Sequence, residues 1–247
     1  MAEVALRSVA LSRSFGGLAA VASVSLECHC GTVHAVVGRD GAGKTTLINM
    51  LSGDLAPSSG RVELFGEDVT GLPPERMSRR GVGRSYQKTS IFPGFSAFEN
   101  CRLAAQARLP GSMRFLRRVE RYHEVNAAAA RALAAAGLGQ RSDLRASALS
   151  HGEQRRLEIA MLLATAPRVL LLDEPLAGMG AEESGRMLGL IRALKARHAI
   201  LLAERDMDAV FALADVLSVI DNGVLLASGR PAEIRARPEF HRRYLGV

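Results

Sequence analysis

Three observations predict an α/β fold: a parallel sheet covered by helices, with a β-rich start and a helical insertion. An apolar strand pattern, Val33-His34-Ala35-Val36-Val37, runs into Gly38-Arg39-Asp40-Gly41-Ala42-Gly43-Lys44-Thr45-Thr46, and a helical pattern through Leu47, Ile48 and Leu51 follows. A second, wholly apolar run, Val169-Leu170-Leu171-Leu172, ends in the carboxylate pair Asp173-Glu174, as expected of a central parallel strand. From there strand and helix patterns alternate towards the C-terminus.

In order, the first third reads as strands over Val4–Leu11, Val21–Cys28, Val33–Val37 and Gly60–Leu64, with turns at Gly16-Gly17 and Pro57-Ser58-Ser59-Gly60. From about Glu99 to Gly137 the pattern turns helical. Ala127 to Ala136 is rich in the best helix former, and Gly137 is a stop. A further helix runs from Ser150 to about Ala164, with Leu157, Ala160, Met161 and Ala164 on one face, and Pro167 ends it. After the apolar strand come a helix (Glu182–Ala196), a strand (Ala199–Ala203), a helix (Met207–Ala214) and a strand (Val216–Ile220). Gly223 and Gly229 bracket one more short strand before a C-terminal helix. The expected organisation is a single unit over residues 1–247, with a core from 1–87 and 166–247 and a helical subdomain over about 88–165.

The 247 residues are 48% hydrophobic and 23% charged, which suits a folded chain with a large core. No apolar run approaches the roughly 20 residues that span a bilayer. Met1 to Phe15 alternates like a strand and lacks a signal-peptide core, so the expectation is a cytoplasmic protein. Cys28, Cys30 and Cys101 form no C-x-x-C pair and read as small buried residues in a reducing compartment. His29 lies between two of them, but successive strand residues face opposite ways and would not share an ion. The net charge of +7 suits either nucleic acid or an anionic membrane surface. Arg108, Arg114, Arg117, Arg118 and Arg121 cluster with only Phe115 and Tyr122 interleaved, which is no base-stacking platform. They read as a solvated helix face or a surface near phospholipid headgroups.

Residues 38–45 fit G-x-x-x-x-G-K-[ST], a phosphate-binding loop. Its glycines let backbone N–H groups close on an anion, Lys44 supplies charge for the β- and γ-phosphates, and Thr45 offers a hydroxyl to Mg²⁺. The helix that starts there points its positive end at the same phosphates. Ligands of open parallel sheets lie beyond the carboxyl ends of the strands, where Asp173 would reach Mg²⁺ and Glu174 would polarise an attacking water as general base. Ser150, with Glu153 three residues on, makes a capping box for the helix that follows. That helix start, with its hydroxyl, Gly152 and free N–H groups, is also a second anion site. One triphosphate rarely needs both elements from one chain, so the economical arrangement is two subunits head to tail.

Together these motifs resemble the ATP-binding subunits of ABC transporters, over nearly the whole sequence. Leu149-Ser150-His151-Gly152-Glu153 is similar to that family's LSGGQ signature. Gln87, after Val82-Gly83-Arg84-Ser85-Tyr86, is similar to the glutamine that reaches the metal and senses the transmembrane partner. Phe15 sits where an aromatic stacks on adenine, with an ordinary core Phe as the alternative, since stacking and packing aromatics look alike in sequence. The resemblance implies a P-loop NTPase of the ABC type: a RecA-like parallel sheet core, an N-terminal antiparallel β subdomain and an inserted helical subdomain, with ATP and Mg²⁺ as cofactors. Phe15-Gly16-Gly17-Leu18, Ser150 through Ala160 and Glu174-Pro175-Leu176-Ala177-Gly178-Met179-Gly180 are similar to the branched-chain amino acid (and related amide or urea) uptake group. Those importers imply a second ATP-binding subunit, identical or not, two permease subunits, and an extracytoplasmic solute-binding protein. They imply a place on the inner face of the cell membrane and no nucleic acid.

Three positions depart from the family. Asp40 replaces Asn and needs to point away from the phosphates or pair, with Arg39 the nearest candidate. Gly180 stands where Asp or Asn contacts the other subunit, so the expectation is loss of that contact. Arg205 stands where a histidine holds the γ-phosphate and the attacking water. An arginine there either grips the γ-phosphate or misplaces the water. Arg205 and Gly180 together predict a subunit that binds ATP well and hydrolyses it slowly. The competing readings are a soluble ABC-type ATPase acting on nucleic acid or ribosomes, and a regulatory ATP-binding subunit with little turnover.

Overall fold

The structure, a computed structural model, describes residues 3–108 and 122–237. Within these, the chain runs β1 (Val4–Phe15), β2 (Leu18–His29), β3 (Val33–Val37), α1 (Lys44–Ser52), β4 (Ser59–Leu64), β5 (Glu67–Asp68), α2 (Pro74–Arg79), β6 (Val82–Arg84), α3 (Ala97–Gln106) and α4 (His123–Ala135). It continues through α5 (His151–Ala164), β7 (Val169–Asp173), α6 (Ala181–Leu194), β8 (Ala199–Glu204), α7 (Met207–Leu213), β9 (Val216–Asp221), β10 (Val224–Gly229) and α8 (Pro231–Arg235). One sheet has the order β10-β9-β3-β8-β7-β6, parallel from β9 to β6, with β10 antiparallel at the edge. A second, antiparallel sheet has the order β2-β1-β4-β5.

Every residue of β3, β7 and β8 is buried, which is why these strands read as unbroken apolar runs. Alternate residues serve opposite faces. Leu170, Leu172, Ile200 and Leu202 pack beneath helices that include α3, α4, α5 and α6. Val169, Leu171, Leu201 and Ala203 pack with α1 and the antiparallel sheet. The parallel registers Val37↔Glu204, Ala203↔Asp173 and Leu171↔Arg84 bring the carboxyl ends of four strands level. The segments that leave those ends carry the candidate chemistry.

Several elements differ in extent from expectation. β1 continues past Leu11 to Phe15 because Ala10 (φ 47°) and Ser23 (φ 53°) sit at register shifts, where the alternation slips without ending the strand. β6 and α2 escaped notice because three and six residues are too few to show a period. The helical stretch expected from Glu99 opens at Ala97, capped by Ser96 and Glu99. Gly137 closes α4 at φ 69°, with Leu138 N–H donating to Leu133 O (2.8 Å) and Gly137 N–H to Ala134 O (3.0 Å). Arg114, Phe115, Arg117, Arg118 and Arg121 lie outside the described residues, as do residues 238–247. On α5, Met161 is only partly buried, whereas Arg155 and Glu158 are buried. Cys28 and Cys101 are buried free thiols that burial pushes up to about 12, but Cys30 is half-buried at the end of β2, contrary to expectation. Among the described residues, no helix is long and apolar enough to cross a membrane.

Candidate active site

The phosphate loop joins β3 to α1, and Gly38 and Gly43 are fixed by neighbouring backbone. A Cβ on Gly38 would lie 2.4 Å from Ile220 O, and one on Gly43 would lie 2.4 Å from Ala20 O. Gly43 also takes φ 104° as it turns the chain into α1. No acidic residue sits in the first turn of α1, so its positive end stays uncompensated. Lys44 is buried and its Nζ donates to Gly38 O (2.7 Å) and Arg39 O (3.1 Å), cinching the loop. Burial pulls the Lys44 ammonium down from its ordinary pKa, opposed by the carboxylates of Glu174, Asp40 and Asp173.

A cleft of about 410 Å³ is lined by residues 40–46 of the loop together with Ala20, Gln87, Glu174 and Arg205. Residues from five separate segments of sequence thus converge on one concavity. Behind it, Gln87 Nε2 donates to Thr45 Oγ1 (3.1 Å), and Thr45 Oγ1 donates to Asp173 Oδ1 (3.4 Å). The other oxygen of Asp173 is buried with no hydrogen-bond partner among the described residues. A hydroxyl, an amide and a carboxylate with an orphaned oxygen make a hard-donor set. It fits a small divalent cation that takes its remaining ligands from phosphates and water, as Mg²⁺ does. Thr45, Gln87 and Asp173 are the residues that would hold it.

The orphaned oxygen has a consequence for stability. Burial raises the Asp173 pKa, against the lowering effect of the Thr45 hydroxyl. A carboxyl whose folded pKa lies above its unfolded value stabilises the fold below the unfolded pKa, and loses that contribution as pH rises through the folded one. Asp173→Asn should therefore raise the melting temperature of the nucleotide-free chain at neutral pH by a few degrees. The scale is about 2–4 °C per kcal/mol for a chain of this size. In acid the advantage should disappear. Thermal unfolding at both pH values checks this; a variant less stable than wild type at neutral pH contradicts it.

Glu174 follows β7 in a left-handed conformation (φ 48°), with its N–H donating to Ala203 O (2.9 Å). Such backbone strain in a non-glycine residue costs about 1–3 kcal/mol and clusters at functional sites. Arg205 spans the mouth of the cleft. Its Nη1 donates to both oxygens of Asp40 (3.0 and 3.1 Å), and its Nε lies 3.5 Å from Glu174 Oε2. Asp40 is therefore paired with Arg205, a partner the sequence did not suggest. The pairing of Val37 with Glu204 sets residue 205 beside the loop that leaves β3.

Ser150, Gly152 and Glu153 stand apart from this cleft. Ser150 caps α5, accepting from Glu153 N–H (3.2 Å), while its own N–H donates to Glu153 Oε2 (2.9 Å). The anion at this helix start belongs to the same chain. Ser150 Oγ donates to Glu183 Oε1 (2.8 Å) and Gly152 N–H to the same atom (3.2 Å). A Cβ on Gly152 would fall 2.5 Å from Glu183 Cδ. Phe15 is half exposed at the tip of the β1–β2 hairpin, beneath the Arg13 guanidinium at 4.9 Å. Ala20, further along β2, lines the cleft. Gly180 caps α6 with nothing within 4 Å of where a Cβ would be. Sequence reasoning missed Glu183, which reads as an ordinary acid in the first turn of α6. It also missed Arg84, which binds Ser52, Asp54 and Asn49 and carried no motif signal.

The model of the ABC transporter family matches residues 21–177. The chain is 38% identical to the high-affinity branched-chain amino acid transport ATP-binding protein BraF of Pseudomonas aeruginosa, over 100% of this chain and 99% of that protein. It is 37% identical to the corresponding LivG protein of Salmonella typhimurium, over 100% of this chain and 99% of that one. A nucleotide-free ATP-binding cassette from an ABC transporter superposes with a TM-score of 0.86 at 26% identity, over 99% of this chain and 100% of that one. An ATP-binding cassette of an ABC transporter in its ADP conformation does so with 0.86 at 27%, over 99% of each. With the phosphate loop, the strand-end carboxylates and the capped α5 all in place, the chain belongs to the ABC transporter family, as one of its ATP-binding cassettes.

Proposed function

We propose that this chain hydrolyses ATP to drive import of branched-chain amino acids or related small amides, as half of an ATP-binding pair beneath membrane permease subunits. The observation that carries the reading is the single cleft shared by the phosphate loop, Gln87, Glu174 and Arg205. Its roles follow from chemistry. Backbone N–H groups of residues 38–46, the start of α1 and Lys44 bind the phosphates. Mg²⁺, once bound, would offset phosphate charge. Glu174 accepts a proton from the attacking water. Phe15 offers a face to the adenine ring.

The Ser150 element, remote from its own cleft, would serve a triphosphate on the second subunit, which then has to displace the Glu183 carboxylate. Full-length similarity to proteins named for branched-chain amino acid transport supports the solute class. Tyr86, Phe92 and Phe95, all exposed and close in sequence to Gln87, offer an aromatic surface to a permease. That assembly would hold the chain on the inner face of the membrane, with an extracytoplasmic binding protein delivering solute.

Arg205 favours slow turnover, because it already holds a carboxylate oxygen of Glu174 that a water proton has to reach. In the transporter assembled with its permease in proteoliposomes, enclosed ATP should drive leucine uptake. Arg205→His should raise ATPase activity there, by about tenfold if some 1.4 kcal/mol of transition-state stabilisation is regained. Absence of ATP-driven uptake of any amino acid or amide contradicts the import reading. A variant rate at or below wild type contradicts the role given to Arg205.

A further inference from the structure

One buried ion pair has no part in the chemistry above. Arg155 and Glu158, on the inner face of α5, leave 7% and 6% of their side chains exposed and lie 3.3 Å apart. Burying two charges costs several kcal/mol each unless hydrogen bonds satisfy the remaining polar atoms. Here the bonds that are made run to the segment 86–90, with Glu158 also accepting from the Ser90 backbone, while Arg155 Nε is buried without a partner among the described residues. Arg155 Nη1 donates to Tyr86 O (2.9 Å), Arg155 Nη2 donates to Gln87 O, and Glu158 Oε1 accepts from Tyr86 N–H (3.1 Å). Three consecutive peptide units leaving β6 are thus gripped by one turn of α5. On the strand side, Ser85 N–H donates to Leu171 O (2.9 Å), so the grip begins where the sheet lets go. At the far side of the loop, buried Asn100 holds both the N–H and the C=O of Phe92.

We propose that Arg155 is a positioning residue for Gln87: its guanidinium, seated on Glu158, fixes the backbone at 86–87 so that the Gln87 amide meets Thr45. The inference rests on the ATPase reading. It adds that α5, capped by Ser150, is tied to the segment that would serve a cation in this chain's own cleft. Arg155 lies five positions after the Ser150 cap along one helix. Movement of that helix start is therefore carried to Gln87 through two carbonyl contacts. An arginine is required because one planar fork spans two carbonyls and a carboxylate, whereas a lysine ammonium is a single point.

The test is a double-mutant cycle in the transporter assembled with its permease. Arg155→Met with Glu158→Met removes the pair without leaving a lone buried charge, an exchange the fold commonly tolerates. Its melting temperature and its Kd for ATP should stay near wild type while kcat falls by about tenfold or more, the scale of a misplaced catalytic group. In a Gln87→Ala background the same pair of substitutions should cost no further activity, because the group they position is gone. Wild-type kcat in the double methionine variant, or a loss that multiplies with that of Gln87→Ala, overturns the proposal. If the double variant does not fold, Arg155→Lys carries the test: it keeps a charge for Glu158 and should show a smaller loss of kcat with the same non-additivity. An additive loss overturns the proposal in that case too. Failure of the wild-type assembly to hydrolyse ATP would instead count against the ATPase reading.

Discussion

Replacing Glu174 with glutamine should lower kcat for ATP hydrolysis by roughly 10²–10⁴, the usual contribution of a positioned general base, and should leave ATP binding intact. The residue sits at the carboxyl end of β7, level with β8 and beside the phosphate loop. Its left-handed backbone aims the side chain into the cleft, where it is 14% exposed. Glutamine keeps the size but removes the charge, and with it the ability to take a proton from water and the ion pair with Arg205. ATP should then hold the two subunits closed without turnover, so the variant should elute as a stable ATP-bound dimer. Steady-state phosphate release and size-exclusion chromatography check both halves. Normal turnover would remove Glu174 from its role.

Lys44→Ala should weaken ATP binding by about tenfold to 150-fold, the equivalent of roughly 1.5–3 kcal/mol for hydrogen bonds made by a charged group. The ammonium does two things. It bonds Gly38 O and Arg39 O, which holds the loop curled, and it places positive charge at the buried floor of the cleft. Alanine forfeits both, leaving the loop carbonyls without their donor. The phosphates would then rest on backbone N–H groups and the start of α1 alone. Calorimetric titration with MgATP measures the change, and an unaltered Kd would contradict the role of Lys44.

Much of this site was legible in the sequence because its parts are local. The phosphate loop is a contiguous strand, turn and helix start. Asp173 and Glu174 close an unmistakable apolar strand, and the capping box of Ser150 and Glu153 spans four residues. What stayed hidden depends on which strands lie side by side. The partner of Asp40 is 165 residues away, and only the β3–β8 register brings Arg205 to it. Glu183 reads as a generic acid near a helix start, yet it fills the anion site of another helix. Arg155 and Glu158 are spaced like any surface pair, and burial against residues 86–87 is what changes their meaning. The extension of β1 was hidden for a different reason: a register shift breaks the period of two while the ladder continues.

In the proposed assembly each triphosphate lies between two chains, bound by the phosphate loop of one and by Ser150 of the other. A structure of the ATP-loaded assembly measures this directly. It should place Ser150 Oγ at hydrogen-bond distance, about 2.7–3 Å, from the γ-phosphate held on the opposite subunit, with the Glu183 carboxylate displaced. Ser150 still bonded to Glu183 and remote from every triphosphate would contradict it.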